Sequence, residues 1–295
     1  MSILAGITRG VKKTPHFVAI YGPSGVGKTT FASNAPKPIF LATERGTDQL
    51  DVARLRISNW LGMSQALAEL KRNNEFQTIV IDSLDHLEPM IFEMVAKDHG
   101  KKSIEDIGYA KGYIFALEYW KQFLNHCQEL REANKNVILI AHAQIKKFND
   151  PIEGEGFDRY ELKLHRKAGD LITETVDALV FAKLEVHITK DANKKVSVIS
   201  DGNRVLHTSN APAFDAKNRF GLPEQISLSW SEFDQLAMRD DSEKVKIIRQ
   251  KIDDLILKFE DETFKKTVLE TVTKFENNLV KLEEIMTKLQ GKLAQ

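Results

Sequence analysis

An apolar run that leads straight into a glycine-rich turn constrains this chain more than any other feature. Residues Phe17 to Tyr21 are followed by Gly22 to Thr29, whose order fits the pattern G-x-x-x-x-G-K-[ST]. The apolar run predicts a buried strand, and Thr29 to Asn34 predicts a helix that begins at the turn. Because further strand-like and helical segments alternate along the chain, the sequence predicts an α/β fold.

The glycine-rich turn has the composition of a phosphate-binding loop. Its glycines let successive backbone N–H groups point at phosphate oxygens, because no Cβ blocks the approach. Lys28 can reach the β- and γ-phosphates, and the Thr29 hydroxyl can hold Mg²⁺. We therefore predict that a nucleoside triphosphate binds here. The predicted contact residues are Gly22, Pro23, Ser24, Gly25, Val26, Gly27, Lys28, Thr29 and Thr30.

Two acidic residues follow later apolar runs. Ile39 to Thr43 predicts a short buried strand with Glu44 after it, and Thr78 to Ile81 predicts another that ends in Asp82. In open α/β sheets the ligand crevice lies outside the carboxyl ends of the strands. Glu44 is therefore placed to orient a water for attack on the γ-phosphate; a solvated loop carboxylate is the alternative. Asp82 has the position of a Walker-B acid, which holds Mg²⁺ directly or through water.

A further buried strand, Val137 to Ala141, ends at His142-Ala143-Gln144. A polar side chain at this strand end can sense the γ-phosphate, and Gln144 is preferred over His142. The alternative is a polar residue that only opens the next loop.

Residues 145–167 show no clear period, which predicts a long loop that is functional or a solvated lid. Its cations lie among Phe148, Phe157 and Tyr160. This composition suits a single nucleic-acid strand, since bases stack on aromatic rings while cations contact phosphates. The predicted DNA-binding residues are Lys146, Lys147, Lys163, Arg166 and Lys167. Further on, Lys217 and Arg219 are either a surface turn or a cationic pair that reaches a neighbouring subunit's site.

The composition limits the kinds of partner and compartment. Hydrophobic residues make up 42% and charged residues 28%, as in a soluble globular protein. The formal net charge is zero, so affinity for nucleic acid has to come from local basic patches. The lone Cys127 suits a reducing compartment, and no apolar run has the length of a membrane span or a signal-peptide core. We therefore expect a cytoplasmic protein without membrane association.

The organisation of the chain suggests three regions. Residues 1–15 are predicted to be a tether that docks on a neighbouring subunit, or else a frayed end. Residues 16–238 form the predicted core, within which Asp51 to Asn74 looks helical. Residues 239–295 carry two heptad-like apolar stripes, which predict two helices packed as a hairpin.

Taken together, these features resemble the RecA-like ATPase superfamily, in particular phage-encoded RecA-like single-strand annealing proteins. The resemblance covers about residues 15–235. It rests on Gly22 to Thr29, Glu44 after the next strand, Val80-Ile81-Asp82-Ser83, a strand that ends near Gln144, and Lys217-Asn218-Arg219.

The resemblance implies a RecA-like core with a mainly parallel, twisted sheet flanked by helices and with ATP at subunit interfaces. It implies that Glu44 is the general base and that Gln144 couples the γ-phosphate to the following loop. Lys217 and Arg219 would act across the subunit interface, together with Lys28 and Mg²⁺, on the transferring phosphoryl group. The two DNA-binding loops would lie near residues 97–112 and 145–167. No separate domain for binding double-stranded DNA is evident, which disfavours full strand exchange.

Our hypothesis from the sequence is an ATP-dependent single-stranded-DNA-binding protein of phage recombination or annealing. Its ATPase would be stimulated by DNA in the cytoplasm of an infected bacterium, and it would form a ring or a filament. A single-strand-binding protein is a further candidate partner. The main alternative is a nucleotide-switched assembly ATPase of phage replication or packaging that never touches DNA. A small-molecule kinase is disfavoured because nothing resembles an acceptor pocket.

Overall fold

The computed structural model describes Ile7 and residues 13–149, 156–185, 187–190, 196–199, 201–238, 242–276 and 278–293. Most of the predicted N-terminal tether therefore lies outside the described residues. The strands are β1 (Phe17–Gly22), β2 (Pro38–Ala42), β3 (Ala53–Arg56), β4 (Thr78–Asp82), β5 (Asn136–Asn149), β6 (Gly156–Leu162), β7 (Ala178–Leu184), β8 (His187–Lys190), β9 (Val196–Ile199), β10 (Arg204–His207), β11 (Lys217–Asn218) and β12 (Gln225–Ser227). The helices are α1 (Lys28–Ser33), α2 (Trp60–Leu70), α3 (Leu84–Asp98), α4 (Lys111–Glu132), α5 (Arg166–Thr175), α6 (Trp230–Ala237), α7 (Ser242–Ile256), α8 (Glu262–Lys274) and α9 (Leu279–Leu293).

One mostly parallel sheet organises the core. Its main path runs β12-β10-β7-β1-β5-β4-β2-β3, while β11 pairs with β7 and β6 pairs with β5. The six strands from β7 to β3 along this path are all parallel, and β6, β10, β11 and β12 pair antiparallel. The parallel strands therefore bring their carboxyl ends to one edge. The predicted α/β fold with a mainly parallel sheet and flanking helices is confirmed.

Strand β1 shows why its sequence is apolar throughout. Phe17, Ala19 and Tyr21 pack into the core on one face of the sheet, which α2, α3, α4 and α5 cover. Val18 and Ile20 pack into the core on the other face, with α1 and α6. Because a parallel strand is buried on both faces, its residues do not alternate between apolar and polar.

No helix in the described part of the chain has the length and apolarity needed to cross a membrane.

Two predictions about local structure are wrong. Asp51 to Asn74 is not one helix: the edge strand β3 comes first, with all four residues exposed, and Asn59 then caps α2 by accepting a hydrogen bond from Gly62 N. The described part of residues 145–167 is not a loop, because β5 continues to Asn149 and pairs antiparallel with β6. Both segments gain backbone hydrogen bonds from a neighbouring strand, which neither the exposed residues of β3 nor the aperiodic sequence of residues 145–167 indicates.

The C-terminal region contains three described helices instead of the predicted hairpin of two. Its own core includes Ile252, Val272 and Leu282. The second apolar stripe is divided between α8 and α9 around Asn278, whose side chain accepts a hydrogen bond from Lys281 N. Helix α9 packs chiefly against α7, and residues of α7, α8 and α9 share this core, so one continuous apolar stripe serves two helices.

Candidate nucleotide-binding site

The glycine-rich turn lies at the carboxyl end of β1, and its backbone depends on glycine. A Cβ at Gly22 would lie 2.2 Å from the Ala182 carbonyl oxygen on β7. Gly25 and Gly27 have φ angles of 76° and 108°, in the left-handed region that favours glycine. The turn therefore has the open backbone that a phosphate group needs.

Lys28 points back across this turn. Its Nζ donates hydrogen bonds to the carbonyl oxygens of Gly22 and Pro23, both at 2.9 Å. Burial lowers the pKa of Lys28, while the charges of Asp82, Asp85 and Glu44 act in the opposite direction. The ammonium group is thus held at the phosphate cradle by carbonyl oxygens, and a bound phosphate would compensate its charge more fully.

Thr29 and Asp82 form a pair of oxygen ligands beside the cradle. The Thr29 hydroxyl donates to Asp82 Oδ2 at 2.9 Å, and Asp82 is 2% exposed. Burial raises the pKa of Asp82 to about 6, and the charge of Glu44 adds to this effect. Hard oxygen ligands and an under-compensated buried carboxylate fit Mg²⁺, which would supply the missing positive charge.

The end of β2 is fastened to the end of β4, and this fixes the position of Glu44. The Thr43 hydroxyl donates to the Ser83 carbonyl oxygen at 2.8 Å and accepts from Ser83 N at 2.7 Å. Glu44 follows directly and is partly exposed. Its Oε2 lies 3.6 Å from His86 Nδ1 on α3. Glu44 therefore lies at the crevice edge of the sheet, where the sequence predicted it.

His142 also belongs to this group of side chains. It is level with Gly22, its register partner on β1. Its backbone N–H donates to Asp85 Oδ1 at 3.0 Å, and its Nδ1 lies 2.9 Å from Asp85 Oδ2. Burial acts to raise the pKa of Asp85, but the hydrogen bonds from His142 outweigh it and lower that pKa well below its usual range. Sequence reasoning had given His142 second place and missed Asp85 and His86.

Gln144 has a different environment from the one expected of a residue that faces the nucleotide. Its Nε2 donates to the Leu162 carbonyl oxygen at 2.8 Å, across the β5–β6 pair. The strand does not end there, since β5 continues to Asn149. Gln144 therefore connects β5 to the segment that leads into α5, and its role toward the γ-phosphate stays a prediction.

The comparisons with known proteins agree with this geometry. The AAA_24 family, described as an AAA domain, matches residues 14–220, which is more than half of the chain. The chain belongs to this AAA domain family. It is also similar to the SPbeta prophage-derived uncharacterized protein YorG of Bacillus subtilis (strain 168), with 26% identity over 134 residues. That match covers 43% of this chain and 40% of the relative, so it spans less than half of either protein.

The AAA domain carries its predicted DNA-binding cations on β5, on the segment after β6 and at the start of α5. Lys146 and Lys147 lie on β5, Lys163 lies between β6 and α5, and Arg166 and Lys167 begin α5; all five are exposed. Of these five cations, Lys146 alone forms an ion pair with a described residue: its Nζ lies 3.5 Å from Glu161 Oε2. A cavity of about 440 Å³ between the hairpin, α5 and β7 is lined by four cations, Lys146, Lys147, Arg159 and Arg166, and by three acids, Glu161, Asp170 and Asp215.

Lys217 and Arg219 lie at the opposite edge of the AAA domain's sheet. Lys217 is paired with Leu179 on β7, which is level with Ala19 on β1. At about 3.3 Å per residue, this places Lys217 roughly 10 Å along the strand from Gly22. Its Nζ donates to the Thr173 and Glu174 carbonyl oxygens at 2.8 and 2.7 Å.

Arg219 is the more available member of the cationic pair. Its side chain is 55% exposed, and its Nη1 lies 3.4 Å from Asp177 Oδ1. Both cations therefore lie toward the amino end of β7, and their role in a neighbouring subunit stays a prediction.

Proposed function

We propose that this AAA-domain protein is an ATP-dependent, oligomeric single-stranded-DNA-binding protein that serves phage recombination or annealing. One observation carries the proposal: the strand beside the nucleotide site continues directly into the cationic hairpin. His142 on β5 is level with Gly22, and Lys146 and Lys147 follow on the same strand. A change at the γ-phosphate is thus transmitted to the DNA-binding surface through one rigid element.

ATP hydrolysis follows from the same arrangement. Thr29 and Asp82 would hold Mg²⁺, Lys28 would bind the β- and γ-phosphates, and Glu44 would orient the attacking water. Lys217 and Arg219 of a neighbouring subunit stabilise charge on the transferring phosphoryl group. Since the turn and the cationic pair lie at opposite edges of one sheet, the contact is head-to-tail and builds a ring or a filament.

DNA binding combines the exposed cations with aromatic side chains. Tyr109, in the first predicted DNA loop, is 96% exposed, and the Arg159 guanidinium lies over the Phe148 ring at 5.3 Å. Aromatic faces accept any base, and cations contact the phosphates, so binding is tolerant of sequence and weakens as salt increases. The prophage origin of the relative supports the phage part of this proposal.

The test separates DNA binding from nucleotide binding. We expect K163A/R166A/K167A to lose at least about tenfold in affinity for labelled single-stranded DNA, measured with ATP and Mg²⁺, because three phosphate contacts are removed. ATP binding should persist in this variant, whereas K28A should lose it. If the wild-type protein neither binds single-stranded DNA nor hydrolyses ATP faster in its presence, the DNA proposal is wrong, and the zero net charge then favours a nucleotide-switched assembly ATPase.

A further inference from the structure

Glu44, His86 and His142 come together from three separate elements at the mouth of the nucleotide site. Glu44 follows β2, His86 lies on α3, and His142 lies on β5. Each offers one ligand atom, and these three atoms all lie within 4.8 Å of one another. Two imidazoles and one carboxylate are a ligand set that binds Zn²⁺ and other first-row transition metals.

The surroundings of His142 prepare it for this role. Asp85 is bonded to its Nδ1, which leaves Nε2 as the nitrogen available for coordination. A carboxylate behind a ligating histidine fixes the ring and increases its basicity. Asp85 itself is only 3% exposed and is also held by the backbone N–H of His142, so the orientation is built into the fold.

The other two ligands have the freedom to close around an ion. Ligand atoms of a tetrahedral zinc site are roughly 3.3 Å apart, so the three ligand atoms have to approach each other by up to about 1.5 Å. His86 and Glu44 are 45% and 27% exposed, so neither is packed on every side. The His86 Nδ1 that faces Glu44 also lies 2.9 Å from Ser83 Oγ, and an ion bound at this nitrogen would replace that contact.

The chemistry of this group differs from that of the magnesium ligands. Thr29 and Asp82 offer only oxygen, which suits Mg²⁺. Glu44, His86 and His142 offer two nitrogens, which Mg²⁺ disfavours and Zn²⁺ or Co²⁺ prefers. The carboxylates of Asp82 and Asp85 add negative charge beside the group, and the Lys28 ammonium compensates part of it.

We propose that Glu44, His86 and His142 bind one transition-metal dication such as Zn²⁺ in the nucleotide-free protein, and that the bound ion withdraws Glu44 from ATP hydrolysis. The first part of the proposal, metal binding (the binding half), depends only on the geometry of Glu44, His86 and His142. The second part, inhibition of ATP hydrolysis (the inhibitory half), rests on the proposed function of Glu44 as the residue that orients water.

Binding is tested first with Co²⁺, whose visible absorption reports its ligands, and with Zn²⁺ in competition. The full-length protein, free of nucleotide, should bind one ion with a spectrum of nitrogen and oxygen ligands. H86A and H142A should each weaken binding at least about tenfold. H99A is the matched control, because His99 is stacked on Phe115 away from the site. Cys127 is buried and its pKa is raised by burial, so its thiol does not compete.

Three results would overturn the binding half: unchanged affinity in H86A and H142A, equal loss in H99A, or a thiolate spectrum. The inhibitory half is tested by ATPase assays in excess Mg²⁺ with micromolar Zn²⁺, where H86A should need at least about tenfold more Zn²⁺ for half-inhibition. Equal inhibition of wild type and H86A would refute it. An inactive wild-type protein would instead refute the proposed ATPase function, while the Co²⁺ titration would still decide the metal site.

Discussion

Gly22, the last residue of β1, lies so close to β7 that no side chain fits at this position. The Ala182 carbonyl oxygen would be 2.2 Å from a Cβ, and the nearest atoms are the backbone and Cβ of Ala182, which have no flexible end that could move aside. This requirement is separate from phosphate binding, for which Gly25 and Gly27 supply the left-handed backbone. One glycine of the turn therefore stabilises the fold, and the others shape the site.

We expect Gly22→Ala to lower the free energy of unfolding by about 2–4 kcal/mol, because the backbone has to shift to relieve the clash. Urea denaturation of the nucleotide-free protein measures this. Gly108→Ala is the control, since a Cβ there meets nothing within 4 Å, and its effect should stay below about 0.5 kcal/mol. Equal effects of the two substitutions would contradict the packing argument.

The buried carboxylate of Asp82 lowers the stability of the nucleotide-free protein, although the same carboxylate is the predicted Mg²⁺ ligand. Its pKa is raised from 3.8 in the ordinary carboxyl to about 6 in the folded protein, chiefly by burial. Between these values the folded state holds a proton that the unfolded state has released. The contribution of Asp82 to the free energy of unfolding of the nucleotide-free protein therefore falls as the pH rises from about 3.8 to about 6. Above this range the contribution does not fall further.

Asp82→Asn removes the buried charge, so the nucleotide-free variant should be more stable than wild type at pH 8 by roughly 1–3 kcal/mol. The gain should vanish near pH 4, where the wild-type carboxyl is largely protonated. Thermal unfolding at both pH values measures the difference. Mg²⁺-dependent ATP hydrolysis should fall at least about a hundredfold, because a ligand of the ion is lost. A variant that is less stable at pH 8 would show that the carboxylate is well compensated without a cation.

At the scale of elements, β5 has two functions along its length. Its first half is a buried central strand between β1 and β4. Its second half is one arm of the cationic hairpin, and Gln144 marks the change by bonding to the Leu162 carbonyl oxygen. Lys163 N also donates to the His142 carbonyl oxygen at 2.9 Å, so the segment before α5 is attached to the strand twice.

Gln144→Ala removes one of these attachments, and we expect stimulation of the ATPase by single-stranded DNA to fall roughly tenfold, the value of one well-made hydrogen bond. ATP binding, followed by fluorescence of a labelled analogue, should persist. Gln65→Ala is the control, because that exposed amide bonds only to Glu69 on the same helix. Full stimulation in Gln144→Ala would show that the hairpin is coupled to the site without this residue.

At the scale of the whole molecule, the nucleotide turn and the Lys217/Arg219 pair lie at opposite edges of the sheet, which leads to a complementation experiment. K28A retains the cationic pair but lacks the lysine of the turn, and K217A/R219A retains the turn but lacks the pair. Each variant alone should hydrolyse ATP at least about a hundredfold more slowly than wild type. Mixing the two should restore a substantial fraction of the activity, up to about a quarter for random neighbours in equal amounts.

Two controls complete this experiment. ATPase activity should be restored only when the two variants are mixed before the subunits assemble. It should stay absent when either variant is mixed with a protein that carries all three substitutions. Activity that stays absent in every mixture would indicate that the pair has no role across the interface.

Much of the core was predictable because its signals are local. The turn from Gly22 to Thr29 and the strands that end near Glu44 and Asp82 follow from short runs of sequence, and the structure contains them. The edge strand β3 was missed because all four of its residues are exposed. The β5–β6 hairpin was missed because residues 145–167 show no clear period in the sequence. The division of the C-terminal stripe was missed because a heptad-like pattern persists across the break at Asn278.

By itself, the sequence determined that this protein has a P-loop α/β core with acids at its strand ends, because strand burial and glycine conformation are properties of neighbouring residues. Only the tertiary structure decided which polar side chains meet. It brought His86, Asp85 and His142 to Glu44, turned Gln144 toward Leu162, and put Lys217 and Arg219 at the far edge. Register and strand order set those distances, and they arise from pairing between segments that are remote in the chain.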